Sequence, residues 1–211
     1  MALRPLALVA VIGVASASRA EIVYRDIPDI AIPLYGEATL DLDADGQAEL
    51  RIISFESGIG PHLYAESLTG AGVMVDPGLT QPTWSPPLRF WADRAASGAP
   101  VGPFEQFEPH ARLLMAIDFG PVYGDWLGVG GGHLGVRFAR GGLDHYGWIR
   151  ATRTTPIVNG LITIHDLAWE SLPGQSIPAG AVPGTGTLAV VVALLAPCRK
   201  PRRATDRSRD H

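Results

Sequence analysis

Cysteine is almost missing from this chain of 211 residues: Cys198 is the only one, and it lies in the C-terminal tail. The body therefore has no intrachain disulfide and no cysteine-based metal site. Positive charge is scarce in the same region. Residues 21–180 hold 9 Arg against 19 Asp and Glu, a formal charge of −10. Such an acidic body repels a phosphate backbone, which excludes nucleic acid as a partner. The chain also lacks a G-x-S-x-G nucleophile elbow and an HExxH zinc motif. Long helical patterns are few, whereas glycine (25) and proline (18) are plentiful. That balance favours many short strands joined by turns.

The most legible stretch is 133–171. In HLGVRF, Leu134, Val136 and Phe138 share one face, with Gly135 and Arg137 on the other. Gly141-Gly142 supplies a turn. A second strand over 145–152 then sets Tyr146, Trp148 and Arg150 against Gly147, Ile149 and Ala151. Asn159-Gly160 is a strong hairpin signal, and LITIH (161–165) alternates beyond it. Residues 170–180 read as a linker. Upstream, 27–33 (IPDIAIP) is broken by prolines and suits an edge position. Residues 56–132 are less legible: short strands fit 63–68 and 73–75, 81–90 reads as a proline-rich loop, and 105–118 fits a strand or a helix equally. The glycines of GVGGG (128–132) run straight into a strand, so they are a connection and not a phosphate loop. The expected fold is all-β: a single antiparallel β-sandwich, jelly-roll-like, of about eight to ten strands.

The most specific chemical motif is DLDADGQAE (41–49). Asp41, Asp43 and Asp45 are spaced by two, Gly46 follows for a sharp turn, and Glu49 stands at the ninth position. With the carbonyl of Gln47, this is the first three-quarters of a Ca²⁺ loop. The twelfth position is Ile52, where an EF-hand requires a bidentate glutamate, and the flanks read as strands. Two readings stand: a Ca²⁺ loop pinning a hairpin, or a metal-free acidic turn.

Two further clusters carry candidate chemistry. Asp144, His145 and Tyr146 sit at one strand start and His165-Asp166 at the end of another; this could serve acid–base work or metal binding, or be hydrogen-bonded strand residues. Trp126, Tyr146, Trp148 and Trp169 could form an aromatic platform for sugar rings, or be core.

The ends carry address signals. Residues 1–20 read as a signal peptide, with Arg4, an apolar run and small residues at its close. Residues 173–183 are the expected linker to an apolar segment over 184–198, and Arg199-Lys200 opens a basic tail over 199–211. This arrangement predicts a transmembrane anchor with a cytoplasmic terminus.

The order of signal peptide, β-rich body and Val182-Pro183-Gly-Thr-Gly-Thr-Leu-Ala-Val before a basic cluster resembles PEP-CTERM sorting-domain proteins. The resemblance implies export in a Gram-negative bacterium, retention at the inner membrane and recognition by an exosortase-type sorting transpeptidase. DLDADGQAEL, HLGVRF and HYGWIR resemble a recurring extracellular domain of such proteins, which implies secretion and a β-fold. The expected function is a non-enzymatic surface or extracellular-matrix protein. The alternatives are a carbohydrate-binding module, with exopolysaccharide as its partner, and a hydrolase using the His/Asp residues.

Overall fold

The computed structural model describes residues 20–57, 60–80, 90–116, 122–124, 126, 130–153 and 162–184. The strands run in chain order as β1 (Ile22–Ile32), β2 (Glu37–Leu40), β3 (Leu50–Ser57), β4 (Gly60–Ser67), β5 (Gly72–Thr80), β6 (Phe90–Ala92), β7 (Arg94–Ala95) and β8 (Pro100–Val101). They continue as β9 (Phe107–Glu108), β10 (His110–Ala116), β11 (Val122–Tyr123), β12 (Gly131–Arg140), β13 (Leu143–Arg153), β14 (Ile162–Glu170) and β15 (Ile177–Pro178). No helix among the described residues is long and apolar enough to cross a membrane. The expected leader, apolar segment and basic tail fall almost wholly outside the described residues.

The all-β, mostly antiparallel expectation holds, but the two-sheet jelly-roll does not. One sheet runs β1-β14-β13-β12-β5-β6-β10-β4-β3-β2 and is nearly closed into a barrel. The physical reason lies in β5. Its first residues pair with β12 (Val73 with Val136), and its later ones pair with β6 (Val75 with Ala92). One strand thus belongs to both halves, and no separate second sheet forms across the core. The end strands β1 and β2 meet at the 33–36 turn, where Gly36 N–H donates to the Pro33 carbonyl at 3.0 Å. Tyr35 adopts φ 63° there. The proline-broken strand is indeed an end strand, with its register shifting between Asp26 and Ile30.

Alternation decides what the barrel encloses. Leu134, Val136 and Phe138 of β12, Ile149 and Ala151 of β13, and Ile164, Leu167 and Trp169 of β14 point inward. They meet Leu40, Leu50, Ile52, Leu63 and Leu113 from the other half in one core. Gly147 pairs with Val136 on one side and Trp169 on the other. A Cβ placed there would fall 2.5 Å from the Ala168 carbonyl oxygen and 2.9 Å from Trp169 Cβ. Neighbouring backbone cannot move aside cheaply, so Gly147→Ala should cost about 1–3 kcal/mol. Urea unfolding would show it as a lowered midpoint at unchanged slope, and an unchanged midpoint would contradict the packing.

The outer wall of β12–β14 is also covered. Met74, Tyr146, Trp148 and Ala168 form a second apolar cluster with Ala95, Val101, Ile177 and Ala179. The segment expected as a linker is therefore part of the fold. Its β15 pairs with β8, Ile177 facing Val101, and Ala179 exchanges backbone hydrogen bonds with Gly98 and Ala99, each 2.8 Å. The apolar Ile177 and Ala179, both almost fully buried, tie this segment down over Trp148.

Candidate metal centre

The 41–49 loop joins β2 to β3, so strands flank it, as the sequence predicts. Its seat follows from alternation that continues past the end of β2: Ala38, Leu40 and Leu42 all point into the core. Leu42 anchors the loop while its neighbours turn outward. Ala44 and Gly46 take φ 64° and 93°, which tightens the chain. Asp41 Oδ1 accepts the N–H groups of Ala44 (2.6 Å) and Asp45 (3.2 Å), and its Oδ2 accepts that of Gly46 (3.0 Å). Asp43 Oδ1 accepts from Asp45 N–H at 3.2 Å, and Asp45 Oδ1 from Gln47 N–H at 2.8 Å. Short side chains at alternate positions are what allow this carboxylate-to-backbone folding.

The arrangement brings Asp41, Asp43, Asp45 and Glu49 together, each offering a ligand oxygen, with all of these within 4.8 Å of one another. Gln47 lies within the same loop and is exposed. Ile52 is a core residue, so the twelfth position of an EF-hand contributes nothing. Glu49 is the unusual member. It is buried, and its Oε2 accepts the Leu42 N–H at 2.6 Å. Burial raises its pKa, the Leu42 hydrogen bond opposes that rise, and Asp43, Asp41 and Asp45 add to it. Among the described residues no cationic side chain pairs with Glu49. A set of four carboxylates with only oxygen donors suits a hard cation, and such an ion would relieve the repulsion that raises Glu49.

Two arginines tie the loop to the barrel, and sequence reading found neither. Arg140 Nε lies 3.2 Å from Asp43 Oδ2, and its guanidinium sits 4.9 Å from the ring centre of Trp169. Arg25 Nη1 donates to the Asp41 carbonyl at 2.5 Å. Both come from distant strands, so only the closure of the sheet reveals them.

The other sequence candidates do not assemble. His145 points inward, stacked near Phe138 and edge-on to Trp169, with Nδ1 2.9 Å from the Glu170 carbonyl oxygen. His165 lies on the outer side, 2.7 Å from Thr152 Oγ1 and 2.8 Å from Asp29 Oδ1. Thr152 is seven residues beyond His145 on β13, about 23 Å along a strand. Asp166 binds Arg150 through both oxygens and accepts from Tyr24 Oη at 3.0 Å. Burial opposes its ionisation, but Arg150 and Tyr24 bring its pKa below the ordinary aspartate value. The Asp144 carbonyl receives Gly174 N–H, and Tyr146 packs against Phe107. These are hydrogen-bonded or packed strand residues. Trp126, Trp148, Trp169 and Tyr146 are all buried, so they form no exposed platform. Gly131 and Gly132, expected as part of a connection, are instead the first paired residues of β12, opposite Thr152 and Ala151.

No family model, no curated protein and no solved structure matches this chain.

Proposed function

We propose that this protein is a non-enzymatic surface or matrix module whose β-barrel is stabilised by a calcium ion in the 41–49 loop. The observation that carries this reading is the convergence of Asp41, Asp43, Asp45 and Glu49 within 4.8 Å. In this reading those four residues supply carboxylate oxygens and Gln47 supplies its carbonyl. The ion offsets the mutual repulsion of the carboxylates and lets the buried Glu49 ionise. Its role is mechanical, because the loop is fixed to the core through Leu42 and to the wall through Arg25 and Arg140. Export, sorting through the C-terminal segment by an exosortase-type transpeptidase and retention at the membrane are supported by the sequence features alone. An exopolysaccharide partner belongs to the same proposal.

The test is calorimetric titration of CaCl₂ into the full-length chain, with MgCl₂ as the comparison ion. Saturable Ca²⁺ binding of about millimolar affinity is expected, with Mg²⁺ weaker because it resists dehydration. Calcium at about ten times Kd adds roughly 1.4 kcal/mol, which raises Tm by about 3–6 °C. Asp45→Asn, an exposed change outside the core, should remove both effects. Identical melting in CaCl₂ and in chelator would end the proposal.

A further inference from the structure

The segment that covers the outer wall meets β12 at one titratable side chain. His133 is half-buried on β12, edge-on to Trp148 with ring centres 5.1 Å apart. Its Nδ1 is shut off from solvent and has no hydrogen-bond partner. Gly180, at φ 78°, lies directly over the ring: a Cβ there would be 3.0 Å from Nε2, 3.1 Å from Cε1 and 3.3 Å from Ser97 Oγ. Only glycine fits both that backbone conformation and that approach. The contact is therefore tight.

We propose that residues 171–184 are a pH-released strap, latched over Trp148 while His133 is neutral and loosened when its ring takes a proton. Protonation puts a charge on a ring that packs edge-on against Trp148 and lies under Gly180, where burial penalises it. The surroundings compensate only in part. From β13, Arg150 stands directly opposite His133, and from β14 Asp166 is already engaged by Arg150 and by Tyr24 of β1. β7 contributes Arg94 beside Ala95, and the backbone carbonyl of Ala95, the register partner of His133, accepts a hydrogen bond from the imidazole. The strap itself carries no charged residue over 171–184. Burial is the largest influence on His133 and lowers its pKa; the Ala95 hydrogen bond and Asp166 oppose, and Arg150 adds to the lowering. A lowered folded-state pKa means the unfolded or unlatched state binds the proton more readily. The stabilisation is thus complete above the ordinary histidine pKa and is lost as pH falls below it. Release would uncover Trp148, Tyr146 and Ala168, an apolar face that is sealed at neutral pH.

Hydrogen exchange of the full-length protein, read by mass spectrometry at pH 7.5 and 5.5 and corrected for intrinsic rates, tests this. Strap peptides covering 174–184 should lose about tenfold in protection at pH 5.5, while β13 and β14 hold theirs. His133→Gln should abolish the pH dependence, and His62→Gln, at another buried histidine, should leave it. Strap protection that is flat across this range, or that falls equally in His133→Gln, would overturn the proposal. An NMR titration of the wild-type imidazole serves as the second measurement. A His133 pKa at or above the ordinary histidine value would overturn it too, whether or not the variant folds.

Discussion

Trp169→Ala should lower stability by about 3–5 kcal/mol, the largest single-residue effect expected in the barrel. The indole is buried, lies edge-on to Phe138 at 5.7 Å and to His145 at 5.2 Å, and carries the Arg140 guanidinium over its outer face. Its removal leaves a cavity between two facing halves of one sheet, which collapse poorly because neighbouring strands are locked in register. Trp169 Nε1 has no hydrogen-bond partner, so Trp169→Phe sacrifices volume but no polar contact. That variant should cost under about 1.5 kcal/mol. Urea unfolding of both variants is the measurement. Equal losses in the two would mean that indole volume is not what the core requires.

Leu42→Ala should cost about 2–5 kcal/mol and weaken calcium binding as well. Leu42 couples two things that are separate in most surface loops. Its side chain is a core residue, and its N–H is the hydrogen bond received by Glu49. A shorter side chain unseats the loop and lets the four carboxylates spread. The loss should show as a lowered urea midpoint in chelator and a smaller CaCl₂-induced rise in Tm. The pH dependence has a definite sign. Since the folded state raises the Glu49 pKa, it binds that proton more readily than the unfolded chain. Without calcium, this contribution is present at low pH and is lost as pH rises through the Glu49 titration. Calcium should therefore add more stability at pH 7 than at pH 4. A calcium effect of equal size at both would remove Glu49 from the ligand set.

The parts legible in sequence are those ruled by short-range pattern. The alternation in HLGVRF and HYGWIR puts Leu134, Val136 and Phe138 on one face of their strand and Tyr146 and Trp148 on one face of theirs, and the structure keeps each set together, the first in the enclosed core and the second in the outer cluster. The DLDADG spacing brings its carboxylates together because all of them lie within nine residues. What was hidden depends on distant partners. β14 continues to Glu170 past a bulge near His165, and no periodicity within 161–170 announces an extra residue. The 170–180 segment has the prolines and glycines of a linker, but Ile177 and Ala179 are held by β8 and its neighbours, far away in sequence. Tryptophans that looked available for a ligand are buried on both sides of the sheet, because the strap covers the side a sandwich would leave to solvent.

The pairing of β1 with β14 sets a clock on the making of this molecule. Ile22 faces Glu170, so the first of the described strands waits for nearly the last of them. Until then β1 has no neighbour with which to form a ladder, and β13 lacks one of its two partners. Contacts this remote in sequence form slowly, since the intervening chain must be drawn together before any of them rewards the loss of freedom. A growing chain of this design stays open and threadable until Glu170 and its neighbours have appeared. Under the export proposed above, such a delay is an asset. The same delay exposes apolar strands such as β12 to other chains meanwhile, so its yield on refolding should fall as its concentration rises.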